Sequence, residues 1–175
     1  DLDLVVSMVS SMHDLYMNDG MGMFSEEASA RAVTLPRWSL SLLLVDLTGD
    51  GHLDIVSGDA AETTVLVNDG TGHFTPSASL LPDAPFVRSI GVAGLSGQYE
   101  VLDVVLASKD PGIHVCTDVR SNALPATCTL SSPDDWRNAV VSDVNLDGMP
   151  DIAAVTYHDS FFMWANHGNC AFTSV

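Results

Sequence analysis

Short apolar runs alternate with turn-forming residues along the whole chain. Ile55-Val56 and Ile152-Ala153-Ala154-Val155 are examples, set between loops rich in glycine, Asn and Asp. Runs of this length and flanking predict β-strands. No segment sustains a 3.6-residue apolar period, and glycine, proline and Asn/Asp turns interrupt every long stretch. The clearest section predicts strands at Ser39–Val45, Asp54–Gly58, Thr63–Asn68 and His73–Ser77. Asn68-Asp69-Gly70 marks a hairpin between the last two, because such turns need positive φ at their central residues.

This four-strand unit recurs. Anchors at Asp3, Asp54, Asp103 and Asp151 are separated by 51, 49 and 48 residues. The hairpin signal recurs with them, as Asn18-Asp19-Gly20 ending at Phe24, Asn68-Asp69-Gly70 ending at Phe74, and Asn166-His167-Gly168 ending at Phe172. Four short antiparallel strands repeating near fifty residues fit β-propeller blades better than any helical repeat. The expected fold is therefore all-β, a β-propeller of four-stranded blades. About four blades are present, at roughly 1–30, 36–80, 85–132 and 136–175.

A second pattern lies inside the repeat. Asp46-Leu-Thr-Gly-Asp50-Gly-His-Leu-Asp54 and Asp143-Val-Asn-Leu-Asp147-Gly-Met-Pro-Asp151 place oxygen-bearing side chains at positions 1, 3, 5 and 9, with glycine at 6. Hard divalent cations take oxygen ligands, and Ca²⁺ tolerates irregular loops where Mg²⁺ insists on a small octahedron. An EF-hand would need Glu at position 12, where Ser57 and Ala154 stand. The competing reading is a metal-free turn whose Asp side chains accept backbone N–H bonds.

Together these features resemble the FG-GAP/VCBS repeats, the blades of integrin alpha-subunit propellers and of many bacterial and protist surface proteins. The resemblance covers nearly the whole chain. It implies a larger, seven-bladed propeller of about 350 residues, of which this chain would be a segment truncated at both ends. It also implies two Ca²⁺ sites. Asp46, Thr48, Asp50, Asp54 and the His52 carbonyl would form one. Asp143, Asn145, Asp147, Asp151 and the Met149 carbonyl would form the other. Thr48 is a poorer ligand than Asn145, so the second-unit site should bind less tightly. Asp1 and Asp3 are the remnant of a first-unit loop. The third-unit loop, Gly94 to Asp103, is one residue longer and lacks the early carboxylates, so it is expected to stay empty and structural.

Charge narrows the partners. The net charge is −17, with 19 Asp against 4 Glu and only six Lys and Arg, and two Ca²⁺ would bring it to −13. Nucleic acid and anionic membranes need clustered cations, so neither is expected. No apolar run approaches the roughly 20 residues of a membrane-spanning helix. Cys116 and Cys128 bracket the third hairpin and would be bridged if their strands pair, leaving Cys170 free or paired elsewhere; three reduced cysteines are the alternative. Trp38, Phe86 and Trp136, with Arg88 and Arg137, read either as a ligand-binding rim or as packing between blades with arginines paired to loop carboxylates. Tyr16, Leu66, Cys116 and Trp164 share one strand position and read as packing. His158-Asp159-Ser160 are adjacent and cannot converge as a triad, and no nucleophile elbow or zinc helix is present.

The expectation is thus a non-catalytic, calcium-stabilised module of a secreted or cell-surface protein. It would act in adhesion or in binding a protein or glycan ligand, with no direct membrane insertion. The alternatives are the propeller portion of a carbohydrate-active or phospholipase-like enzyme, or a structural spacer. An open run of blades exposes sheet surface, so marginal stability is expected of the free chain.

Overall fold

In a computed structural model the chain is built from strands, turns and irregular segments. The structure describes residues 2–8, 14–36, 38–82, 84–96, 102–109, 112–120, 126–130 and 135–175. Asp1 and much of the third-unit loop lie outside the described residues. Among the described residues, fifteen strands form four antiparallel sheets, each a meander in chain order. The first holds β1 (Leu4–Val6), β2 (Asp14–Asn18) and β3 (Phe24–Glu26). The second holds β4 (Ser41–Val45), β5 (Asp54–Gly58), β6 (Thr63–Asn68) and β7 (Phe74–Ser77). The third holds β8 (Val87–Ala93), β9 (Asp103–Ser108), β10 (Ile113–Thr117) and β11 (Ala126–Leu130). The fourth holds β12 (Trp136–Ser142), β13 (Asp151–Thr156), β14 (Phe161–Asn166) and β15 (Phe172–Ser174). The second unit matches the sequence reading to within two residues at each strand end.

Successive sheets stack face to face. Strand side chains alternate between faces, and here both faces of the middle sheets are covered. Ile55 and Leu66 join Leu15 and Val33 between sheets one and two. Val56 and Val65 turn the other way, onto Val87, Val104 and Leu106 of sheet three. Val105 and Ala107 then meet Trp136, Ile152 and Trp164 of sheet four. Double burial explains why β5 and β9 read as continuous apolar runs rather than as alternation. The first strands β4, β8 and β12 are packed as neighbours, the arrangement expected where blades radiate from a common axis.

Two details correct the sequence reading. The disulfide joins Cys128 to Cys170, and Cys116 is a buried free thiol. Strands β10 and β11 do pair, but the partner of Cys128 across the ladder is Val115, while Cys116 faces Thr127. Alternation therefore sends the two sulfurs of the expected bridge to different faces. Cys128 turns towards sheet four and meets the β14–β15 turn. The second correction concerns the aromatics before each first strand. Trp136 is fully buried, but Trp38 is 59% and Phe86 39% exposed.

The last sheet has an open face. Val140, Val155 and Phe161 are exposed on it, and they border a shallow, mostly apolar groove of about 150 Å³.

Candidate functional site

Each four-stranded sheet has two edges. One carries the loops joining its first and second strands together with the Asn/Asp-Gly hairpins. The other carries the approach to the first strand and the turn between the second and third.

On the first edge the anchor aspartates form a repeated brace. Asp54 is fully buried. Its Oδ2 accepts N–H bonds from Leu47 (2.9 Å) and Thr48 (3.2 Å), and its Oδ1 accepts one from Asn68 (2.9 Å). Asp151 does the same with Val144, Asn145 and Asn166. Asp103 takes Ser96 N–H at 2.6 Å and Asp118 N–H at 2.8 Å, and Asp3 takes Asn18 N–H at 2.9 Å. The brace ties the loop to the end of the third strand. It persists in the third unit, where the other carboxylates are missing, so it does not depend on an ion. A carboxylate offers about four lone-pair sites, so three N–H bonds leave Asp54 and Asp151 about one each.

The remaining loop residues are more available. Asp46 accepts from Gly49 N–H (2.7 Å) and Gly51 N–H (3.1 Å), and Asp50 from His52 N–H (2.9 Å). Asp143 accepts from Asp147 N–H (3.2 Å) and Gly148 N–H (2.9 Å). Asn145 accepts from Asp147 N–H and Asp147 from Met149 N–H, both at 2.8 Å. These are the bonds of the metal-free turn. The loops bend at positions 4 and 6, with φ of 80° and 90° at Gly49 and Gly51 and of 62° and 90° at Leu146 and Gly148.

The donor set fits a hard cation. The Thr48 hydroxyl, at position 3, is buried with no hydrogen-bond partner, although such groups are nearly always satisfied. Ser96, at position 3 of the third-unit loop, is orphaned likewise, so the hydroxyl alone does not mark a site. Carboxylates at positions 1 and 5 distinguish the second-unit loop, since Gly94 and Gln98 stand there in the third. Among the described residues no three His, Cys, Asp or Glu side chains converge as a ready-made metal cage. Any ion here would draw on mixed donors, as Ca²⁺ does.

A contact missed in the sequence reading crosses between sheets. Arg120, just beyond β10, donates from Nη2 to the Asp46 carbonyl at 2.7 Å and lies 3.5 Å from Asp46 Oδ2. Seventy-four residues separate the two, and no local spacing signals the pairing.

The second edge gathers aromatics and cations. Arg88 and Arg137 each sit at a β-bulge, between Val87 and Ser89 and between Trp136 and Asn138, and a bulge re-aims its extra residue. Arg88 leaves its own sheet, pairs with Asp135 and donates to the Trp136 carbonyl at 3.1 Å. Its partner is thus an acid on the next unit, not the loop carboxylate expected. The Arg88 and Arg137 guanidiniums lie 5.1 and 5.0 Å from the Tyr157 ring centre, and Lys109 lies 5.4 Å from that of Phe86. Tyr157 is 55% exposed. His158, Asp159 and Ser160 form the adjoining tight turn, capped by the Thr156 hydroxyl accepting His158 and Ser160 N–H at 3.3 Å. Tyr16, Leu66, Cys116 and Trp164 occupy equivalent strand positions; Leu66, Cys116 and Trp164 are buried and Tyr16 is half-buried.

Comparison with known proteins places this architecture. The profile described as FG-GAP-like repeat matches residues 1–57 and 46–96. A solved structure of an Agrocybe aegerita lectin that specifically recognises non-reducing terminal N-acetylglucosamine superposes with a TM-score of 0.58 at 16% identity. The match covers 98% of this chain and 51% of the lectin chain, so the chain spans about half the length of that protein. No curated protein matches. With more than half of its residues inside the repeat profile, the chain belongs to the FG-GAP-like repeat family.

Proposed function

We propose that this chain is a non-catalytic, calcium-braced segment of a β-propeller in a secreted or cell-surface protein, and that the edge opposite the metal loops binds a glycan. The observation that carries this reading is the composition of that edge. In a chain with net charge −17 and only six Lys and Arg, three of those cations stand beside exposed Phe86 and Tyr157, with Trp38 exposed in the same position of the preceding unit. Aromatic faces offer sugar rings an apolar surface, and Tyr and Trp add a polar handle. Guanidiniums donate paired hydrogen bonds to acidic groups. The lectin with a similar fold lends support, though the resemblance is one of fold alone.

Calcium has a structural part in this reading. Thr48, with Asp46 and Asp50, and Asn145, with Asp143 and Asp147, would hold the ions together with the His52 and Met149 carbonyls. Asp54 and Asp151 would brace the loops and contribute what lone-pair capacity remains. The bound cation offsets carboxylate repulsion and locks the first two strands of a blade together. The Cys128–Cys170 bridge supports an oxidising, extracellular setting.

A longer propeller, for which the family resemblance implies seven blades, is in keeping with the open face of sheet four and with Arg137. Arg88 bridges from the bulge of its sheet to the next one. Arg137 occupies the equivalent bulge and would bridge to a following blade in the same way.

The test is a glycan array probed with the purified protein in calcium, alongside Trp38→Ala and Tyr157→Ala. Selective binding that either substitution weakens about tenfold or more, with unchanged melting points, is the expected outcome. An array without signal, or variants that bind as well as wild type, would remove the glycan assignment.

A further inference from the structure

We propose that Arg120 is a built-in counter-ion of the second-unit loop, and that it lowers calcium affinity there beyond the effect of Thr48 at position 3. The inference rests on the calcium reading of both loops. Its physical basis is the placement of one guanidinium.

The third unit lacks early loop carboxylates but has the brace. Asp103 holds Asp118 N–H, and the Leu102 carbonyl accepts Val119 N–H at 3.1 Å. Val119 is buried in the core between sheets two and three. These contacts fix the backbone on which Arg120 stands and aim its side chain out of sheet three across the neighbouring loop. The stem lies against that loop, for a Cβ added at Gly49 would stand 3.3 Å from Arg120 Cδ. The head group reaches Asp46, the position 1 ligand, through both its carbonyl and its carboxylate.

A cation on that carboxylate acts in two opposite ways. Without calcium it relieves repulsion among Asp46, Asp50 and Asp54. With calcium it places a positive charge beside a divalent ion and competes for the same oxygen. Among the described residues, no ion pair reaches Asp143, Asp147 or Asp151 of the fourth-unit loop. Of two loops of identical spacing, one carries a guanidinium on its first position, and because they also differ at position 3, Thr48 against Asn145, the charge is isolated only by changing Arg120 itself.

The experiment isolates each loop by calorimetric calcium titration. In Asp147→Ala only the second-unit loop remains; in Asp50→Ala only the fourth. Adding Arg120→Gln removes the charge and keeps a donor for the Asp46 carbonyl. In the Asp147→Ala background it should tighten calcium binding by roughly three- to tenfold at low salt, the order expected for a unit charge a few ångströms from the ion at surface screening. The gain should shrink towards unity in about 0.5 M salt. In the Asp50→Ala background affinity should not change. A second readout is thermal: Arg120→Gln should lower the melting point without calcium and enlarge the rise that calcium produces. Equal or weaker binding in Asp147→Ala with Arg120→Gln, while Asp50→Ala still binds, would overturn the counter-ion role and leave the calcium reading standing. Absence of binding in wild type and every variant would overturn both.

Discussion

Leu146 holds φ 62° in the fourth-unit loop, where the second-unit loop has Gly49 at φ 80°. A left-handed conformation costs an L-residue on the order of 1–2 kcal/mol, and Asn visits it more readily. Leu146 is 86% exposed, so little burial is lost by replacing it. Leu146→Asn should raise stability by about 1 kcal/mol, read from urea unfolding. The anchor aspartates were legible as positions but not as roles. Spacing marks Asp54 and Asp151 as ligands, and the structure adds a second role that spacing does not signal, the bracing of backbone N–H groups, which Asp103 also fills. Asp103→Ala would leave two N–H groups, of Ser96 and Asp118, without their acceptor. It should cost about 2–4 kcal/mol in a denaturation curve, with no change in calcium stoichiometry. Cys116 is the third case. Burial first, then the charge of Asp103, pushes its thiol up to about 12 from 9.0, against a lowering hydrogen bond with Thr127. The folded state therefore keeps a proton that the unfolded state releases. The Cys116 contribution should be constant below pH 9 and fall as pH rises from about 9 towards 12. Cys116→Ala should flatten that part of the urea-measured stability profile relative to wild type.

At the scale of elements, period and turn chemistry were enough to locate the second-unit strands, because apolar runs and Asn/Asp-Gly turns are local signals. Contacts between sheets were not legible. The bulges at Arg88 and Arg137 and the reach of Arg120 depend on which residues lie opposite across a stack, and one sequence holds no record of that. The disulfide shows the same limit. Cys116 and Cys128 look like natural partners along the chain, yet strand alternation separates them and brings Cys128 to the β14–β15 turn. The bridge closes a span of 42 residues and ties the outer strand of sheet three to sheet four. In the chain-entropy account a loop of this length contributes about 4 kcal/mol. Reduction, or Cys128→Ser, should lower unfolding free energy by up to that amount, with the loss visible as a lower urea midpoint.

At the scale of the molecule, four stacked sheets present two chemically distinct edges. One is acidic, rigidly braced and built around repeated oxygen-donor loops; the other holds half of the Lys and Arg residues beside exposed aromatics. The proposed division of labour assigns blade stabilisation to the loop edge and ligand binding to the opposite edge. The central claim is that the loops hold calcium for this purpose. It is tested most directly by calorimetric calcium titration of wild type beside Asp50→Ala and Asp147→Ala, followed by melting. Two saturable ions in wild type, one in each variant, and a melting point raised by calcium are predicted. No saturable binding, or a stoichiometry that neither substitution changes, would contradict the account and reduce both loops to hydrogen-bonded turns.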